Sequence, residues 1–376
     1  MEVWRARSRA SNWQSQVVKN GSFELLLGCA RKDRKIMSRS HTGTAVRMQR
    51  FLEHWGVLVA FVLLFTVSAF KQGGDFLSIE NFRNLLNQNA AVGILAVGMT
   101  LVIVSAGIDL SVGSMVVLAA AVGTTAMNAL IEAGWSEPSA VVSGALITIL
   151  AGTAAGALNG ALIVFGRIAP FIATLGGLAA FRSIALAIAE AGEIRSQSPT
   201  MFSALGRGGI PIPFAENSAG KALTLSWSTV IFFVVAIVAQ WFLSRARFGR
   251  QLVAVGANET AARYAGVPVA WIRFRVYALM GALAGVAGLV QSSRMNSVST
   301  AQLGLGSELD AIAAVVIGGT SLRGGFGRIW GTVAGVLILG MITNILTISG
   351  VSPYWQGAVK GAVIVLAVLV QRGSRA

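Results

Sequence analysis

The chain has 376 residues, of which 55% are hydrophobic and 12% charged, with 44 Gly, a mean hydropathy of +0.70 and a formal charge of +15. A soluble globular domain carries about a quarter of its residues as charges, so the composition excludes one. The basic excess raises nucleic acid as a partner, but residues 1–50 hold eleven Lys and Arg against three acids, more than half of that excess in one leader.

That leader comes first in chain order. Lys and Arg collect on the cytoplasmic flanks of membrane spans, so it reads as an inside-facing tail whose contact is an anionic lipid surface, not nucleic acid. Its apolar run, FELLLGCA (Phe23 to Ala30), is too short to span and lacks a signal-peptide cleavage pattern. Met37 or Met48 would each serve as a translation start and leave a compact basic flank, so 1–50 is read as a cytoplasmic leader with a mis-assigned start and 51–376 as the membrane domain. Cys29 is the single cysteine and His41 and His54 the two histidines, which excludes an internal disulfide and offers no metal or cofactor motif.

Beyond the leader the apolar runs are continuous and rich in Ala, Gly, Leu and Val. They lack the alternating ten-residue segments of a membrane β-barrel, so the fold class is all-α and polytopic, with about ten transmembrane helices. The expected spans are Trp55 to Phe70, Ala90 to Gly107, Val112 to about Ile131, Val141 to Phe165, Phe171 to Ala191, Leu225 to Ser244, Trp271 to Ser293, a short eighth from Leu309 to about Leu322, Ile329 to Ser349, and Gln356 to Val370. KQGGDFLSIENFRNLLNQN reads as an amphipathic connection after the first. Gly192 to Ala222 is the longest weakly apolar connection and carries GRGG and IPIP turn signals. Ten spans place the leader, the Arg167 turn, the Arg245 to Pro268 segment, the Arg323 and Arg328 turn and the C-terminal tail on one side. Their charge makes that side the cytoplasm, with both termini in it.

The fourth span carries Gly144, Gly152, Gly156 and Gly160, and ALMGALAGVAGLV in the seventh repeats the theme. Small residues at four-residue spacing let helix backbones approach closely in lipid, which predicts a tightly packed bundle. Few strongly polar groups lie deep in the runs: Asp109, Asn159, Arg182 and Asp310, with Arg273, Arg275 and Lys360 near enough to span ends to snorkel. A charge in hydrocarbon costs at least ~2.5 kcal/mol, so the deep ones should face the interior, a partner or water. Asp109 sits in a Gly-flanked break, AGIDLSVGS, of the kind tolerated around a cavity. Glu308 and Asp310, after Ser307, also read as caps at the outer start of the eighth span.

The segment RARFGRQLVAVGANETAARYAGVP, Arg245 to Pro268, is the longest strongly polar stretch between two apolar runs. It reads as a short cytoplasmic helix held against the membrane. Asn258 is its N-cap, Glu259 lies in its first turn, and Gly266 followed by Pro268 stops it. An ordinary basic loop that orients the chain is the other reading. The phosphate-cradling GxxxxGK[ST] loop, HExxH and GxSxG do not occur in the sequence, so the chain supplies neither ATP hydrolysis by that route nor a catalytic constellation, and is expected to be a transporter subunit, not an enzyme.

Four stretches in order, AVGMTLVIVSAGIDLSVGS, GALNGALIVFGRIAPFIATLGG, FGRQLVAVGANETAARYAGV and ELDAIAAVVIGGTSLRGGFGRIWGT, resemble the permease subunits of ABC importers for simple sugars, the ribose, xylose and arabinose permease group. The resemblance runs from about Ala90 to the end. It implies a permease in the bacterial inner (plasma) membrane, working as a homodimer with a cytoplasmic ATPase of two fused nucleotide-binding halves and a periplasmic sugar-binding protein. It also implies that Gly249, Arg250, Gly256, Asn258, Glu259, Ala262 and Gly266 belong to the region that couples to the ATPase. A neutral, hydroxyl-rich cargo needs no strong counter-charge. Asp109, Ser111 and Asn159, with Phe171, Thr174 and Gly176 at the start of the fifth span and Asp310 in the eighth, are therefore the candidates along a translocation path. The alternatives are a secondary transporter, which would work alone on an ion gradient, and an ABC permease for a non-sugar solute such as a branched-chain amino acid or a nucleoside.

Overall fold

Helices form wherever the apolar runs are long enough to close their own backbone hydrogen bonds in lipid. A computed structural model of the protein describes residues 62–63, 65–71, 73–74, 76–216, 222–352, 354–362 and 365. In chain order its elements are α1 (Ile79–Val104), α2 (Val112–Glu132), α3 (Glu137–Val164), α4 (Pro170–Ile188), β1 (Glu193–Arg195), α5 (Met201–Arg207), β2 (Gly209–Glu216), β3 (Ala222–Ser226), α6 (Trp227–Arg245), α7 (Arg247–Ala257), α8 (Glu259–Tyr264), α9 (Val269–Met295), β4 (Ser297–Ser299), α10 (Ser307–Ile317) and α11 (Ile329–Ile348). Residues 65–71 and 354–362 are helical as well. Seven of these helices, α1 to α4, α6, α9 and α11, are long and apolar enough to cross a membrane. The basic leader with Met37 and Met48, Cys29, both histidines and the start of the first expected span lie outside the described residues.

The described spans match the apolar runs, with three differences. The first is that α1 begins eleven residues before the expected start at Ala90, because Ser78 caps it by accepting from the Asn81 amide over 3.0 Å. The polar stretch read as a connection is thus the first turns of the helix. Its side chains are satisfied by other elements: Asn81 and Asn344 exchange amide hydrogen bonds, and Arg83 donates to the Thr224 carbonyl.

The second difference concerns the expected eighth span, which is the eleven-residue helix α10. At 1.5 Å per residue it is ~16 Å long, about half the hydrocarbon thickness. It starts inside the bundle, not at its outer face: a Cβ on Gly113, in the first turn of α2, would strike the Gly304 carbonyl and Glu308. Two helix N-termini therefore meet in the interior. Gly304 and Gly306, at φ +71° and +72°, make the turn that enters α10.

The third is that the 192–222 connection is structured. β1 pairs antiparallel with β4, Ile194 opposite Val298, and β2 pairs with β3. A strand of three residues whose partner lies a hundred residues away leaves no local periodicity to read.

α1 runs through the centre, buried at every residue from Gly93 to Ser105. The glycine rows of α3 and α9 face each other: Cβ atoms on Gly152 and Gly156 would strike the backbone of Gly281, so the helices touch main chain to main chain. At one end of the bundle the C-terminus of α3 meets the N-terminus of α9, where Phe165 stacks edge-on with Trp271. The C-terminus of α1, the helices α7 and α8, and the loop carrying Arg323 and Arg328 gather at the same end. The two small sheets lie at the other.

Candidate functional site

The break after α1 organises a buried polar cluster. Helix α1 stops at Val104, where Ala106 takes a left-handed backbone at φ 61° and Gly107 donates back to the Val102 carbonyl. The chain then returns into the bundle as non-helical backbone. Asp109 is fully buried there, and its Oδ1 accepts from the Ser111 amide (2.9 Å) and from the Ser111 hydroxyl (2.6 Å). These bonds hold the turn that starts α2. Asn159, in the penultimate turn of α3, donates to the Ser111 hydroxyl over 2.7 Å. Tyr277 of α9 donates to the Ile108 carbonyl over 3.2 Å. Two spans, α3 and α9, thus grip one irregular segment, the condition for tolerating such backbone at membrane depth.

Two polar atoms of this cluster, Asp109 Oδ2 and Asn159 Oδ1, are buried and have no hydrogen-bond partner among the described residues. Buried polar atoms are nearly always paired, so such atoms mark either a functional group or a bridging water. Asn159 is seated against Gly177 of α4, where a Cβ would stand 2.8 Å from its Oδ1.

The other expected path residues are distributed differently. Thr174 is buried beside this region but spends its hydroxyl on the Pro170 carbonyl one turn back. Phe171 is 55% exposed and Gly176 has open space around it, so both lie on the outward face of α4. Asp310 is in an ion pair with Lys360 at 3.0 Å, which ties α10 to helical residues 354–362. Neither Glu308 nor Asp310 caps an outer helix end: Glu308 packs at Gly113 inside the bundle.

Arg182 of α4 donates to the carbonyls of Thr300 and Leu303 at 3.1 and 2.8 Å, fixing the strand-to-helix loop that leads into α10. It is a structural clamp on the half-helix. The sequence marked Arg182 as deep and polar, and it could not name carbonyls as its partners.

At the basic end the Arg245 to Pro268 segment forms two helices, not one. Asn258 caps α8 as expected, accepting from the Ala261 amide over 3.0 Å, and Gly266 turns the chain at φ +76°. The stretch before it, read as part of a single polar segment, is α7, an amphipathic helix with Gly249, Leu252, Val255 and Gly256 buried. A Cβ on Gly249 would strike the Phe242 and Leu243 carbonyls, and one on Gly256 the Val104 carbonyl. Gly325 also donates to that Val104 carbonyl, over 2.9 Å. α7 is thereby bolted to the end of α1 and to the 318–328 loop, while Ala262 is buried in α8. Glu259 pairs with Arg263 and with Arg273 of α9, both at 2.8 Å, and Arg250 donates to the Arg245 carbonyl. The outcome is an exposed charged ledge rigidly joined to the helix whose end begins the buried break.

The described helices form a bundle with seven members long and apolar enough to cross a membrane, an interior break and an exposed charged ledge at one end. Residues 81–368 match the family described as the branched-chain amino acid transport system permease component, and the chain belongs to that family. It is 39% identical over 319 residues to the ribose import permease protein RbsC of Escherichia coli strain K12, covering 85% of this chain and 93% of that protein. It is 40% identical over 316 residues to RbsC of Bacillus subtilis strain 168, covering 83% and 90%, and 33% identical over 367 residues to the xylose transport system permease protein XylH of E. coli K12, covering 85% and 90%. The chain is a multi-pass permease subunit of the bacterial inner (plasma) membrane, not an enzyme.

Proposed function

We propose that this permease translocates a simple sugar, a pentose, hexose or related polyol, in an importer powered by a separate cytoplasmic ATPase and fed by a periplasmic sugar-binding protein. The observation that carries the cargo is the agreement of relatives named for ribose and for xylose import across more than four-fifths of this chain. The family description names branched-chain amino acids, which makes leucine the comparison solute. The buried cluster is compatible with a sugar cargo: Asp109 Oδ2 and Asn159 Oδ1 are acceptors without a partner among the described residues, which sugar hydroxyls can fill.

In this reading the chain has ten spans with both termini in the cytoplasm, since Arg245, Arg247, Arg250, Arg263, Arg323 and Arg328 share one end of the bundle. Residues 1–50 are the basic leader and 51–376 the permease domain. Two copies of the chain meet a fused double ATPase. Gly249, Arg250, Gly256, Asn258, Glu259, Ala262 and Gly266 form its docking ledge, and closure of the ATPase halves moves the ledge. The bond between Gly325 and the Val104 carbonyl carries that movement to the end of α1 and so to the break. Asp109, Ser111 and Asn159 line or support the path with Thr174 buried on α4, while Phe171 and Gly176 stay on the outward face of α4 and Asp310 in its pair with Lys360. Uptake of labelled ribose, xylose and leucine by cells carrying the chain with its partner subunits tests the cargo. Sugar uptake competed by a second sugar and not by leucine is expected, and leucine uptake alone would overturn it.

A further inference from the structure

A cavity of about 350 Å³ opens on the outward side of the bundle at its basic end, beside the start of the ledge at Arg245. It is lined by Ile237, Gln240, Trp241, Ser244 and Arg245 of α6 and by Trp330 in the first turn of α11. Trp241 and Trp330 are 57% and 49% exposed, although both stand on membrane-crossing helices. Indole rings at the ends of spans sit at the headgroup level, so this wall faces the lipid boundary.

The polar groups there are those of an anion site with a hydroxyl acceptor. Arg245 makes no ion pair among the described residues, and its main chain is held where its carbonyl accepts from Arg250 over 2.9 Å. The first turn of α11 has no side-chain cap, so its positive end adds to the guanidinium. Gln240 Oε1 is buried and has no hydrogen-bond partner among the described residues, an acceptor for an O–H or N–H donor. Ser244 is already committed to the Gln240 carbonyl at 2.7 Å. Phosphate for the guanidinium, a hydroxyl for the amide and acyl chain for Ile237 and the indoles are the three parts of one ligand class.

We propose that this cavity binds the headgroup of an anionic phospholipid bearing a hydroxylated headgroup, such as phosphatidylglycerol, in the leaflet at the basic end. The site sets a lipid preference for the permease independently of which solute it carries.

The test uses the full chain in nanodiscs of mixed phosphatidylglycerol and phosphatidylcholine, with the lipids retained after release counted by native mass spectrometry. The wild-type chain is expected to retain phosphatidylglycerol in preference to phosphatidylcholine. R245Q should lower that retention roughly fivefold, the weight of one basic residue at an anionic surface. Q240L and W330L, each monodisperse on gel filtration, should lower it too, and R195Q at the opposite end should not. Excess soluble glycerol phosphate should leave retention unchanged, whereas displacement would mean that the site takes a free phosphate and overturn the lipid assignment. Equal retention of both lipids, or wild-type retention by R245Q, would overturn it as well.

Discussion

The amide of Asn159 donates to the hydroxyl of Ser111 over 2.7 Å, and through it α3 holds the turn that Asp109 builds ahead of α2. This bond joins a glycine-packed span to the turn between α1 and α2, so it ties the close-packed part of the bundle to its irregular segment. Removing one partner of a buried hydrogen bond leaves the other unsatisfied at a cost of about 1–3 kcal/mol. Asn159→Ala should lower the melting temperature of the detergent-purified protein and reduce uptake. Asn159→Asp, which sets a second carboxylate in the same buried network, should do more harm than the alanine. A thermal-shift series on the two variants checks the order.

At the ledge, two glycines should behave differently. Gly256→Ala drives a Cβ into the Val104 carbonyl, a clash with main chain that cannot turn aside, and overpacking of this sort costs about 1–3 kcal/mol. Gly266→Ala meets no atom within 4 Å and suffers only its φ of +76°, about 1–2 kcal/mol. The first should loosen α7 from α1 and abolish transport even with the ATPase bound. The second should weaken coupling while the bundle stays folded. ATPase stimulation measured with each variant in liposomes separates them.

Glu259 bridges α8 to α9 through Arg273 and pairs within α8 with Arg263, but it is partly exposed, and exposed pairs contribute up to about 1 kcal/mol. Glu259→Gln should therefore leave folding intact and lower stimulated ATP hydrolysis and uptake together. A large fall in stability without loss of coupling would place the residue in the scaffold instead.

The glycine contact between α3 and α9 has no slack. Gly152→Leu puts a side chain where the backbone of Gly281 stands, so the variant should fail to accumulate as a monodisperse protein. Gly176→Leu, on an open face of α4, should accumulate normally in the same gel-filtration assay.

Much of this was legible in the sequence because lipid removes alternatives: long apolar runs must be helices, and α2, α9 and α11 lie within two residues of their runs. Asp109 with Ser111 and Asn159 stood out because polar groups are rare at that depth, and the Asn258 cap because its chemistry is local. What stayed hidden depended on distant partners. The half-length of α10 follows from Gly113 and Arg182 receiving its entry loop, the polar start of α1 from Asn344 and Thr224, and the Asp310 and Lys360 pair from a contact fifty residues apart. α7 does not separate from α8 in the sequence because the whole segment reads as one polar stretch, and the partners of Gly249 and Gly256, the backbone of α6 and α1, are distant elements.

In the proposed function this bundle is a gate driven by another chain's ATP hydrolysis. The most direct test is reconstitution of the permease in liposomes, alone and with its ATPase and sugar-binding protein, with labelled sugar followed over time. Concentrative uptake that needs all three proteins and ATP is the expected result. Sustained concentrative uptake by the permease alone on an ion gradient would contradict it.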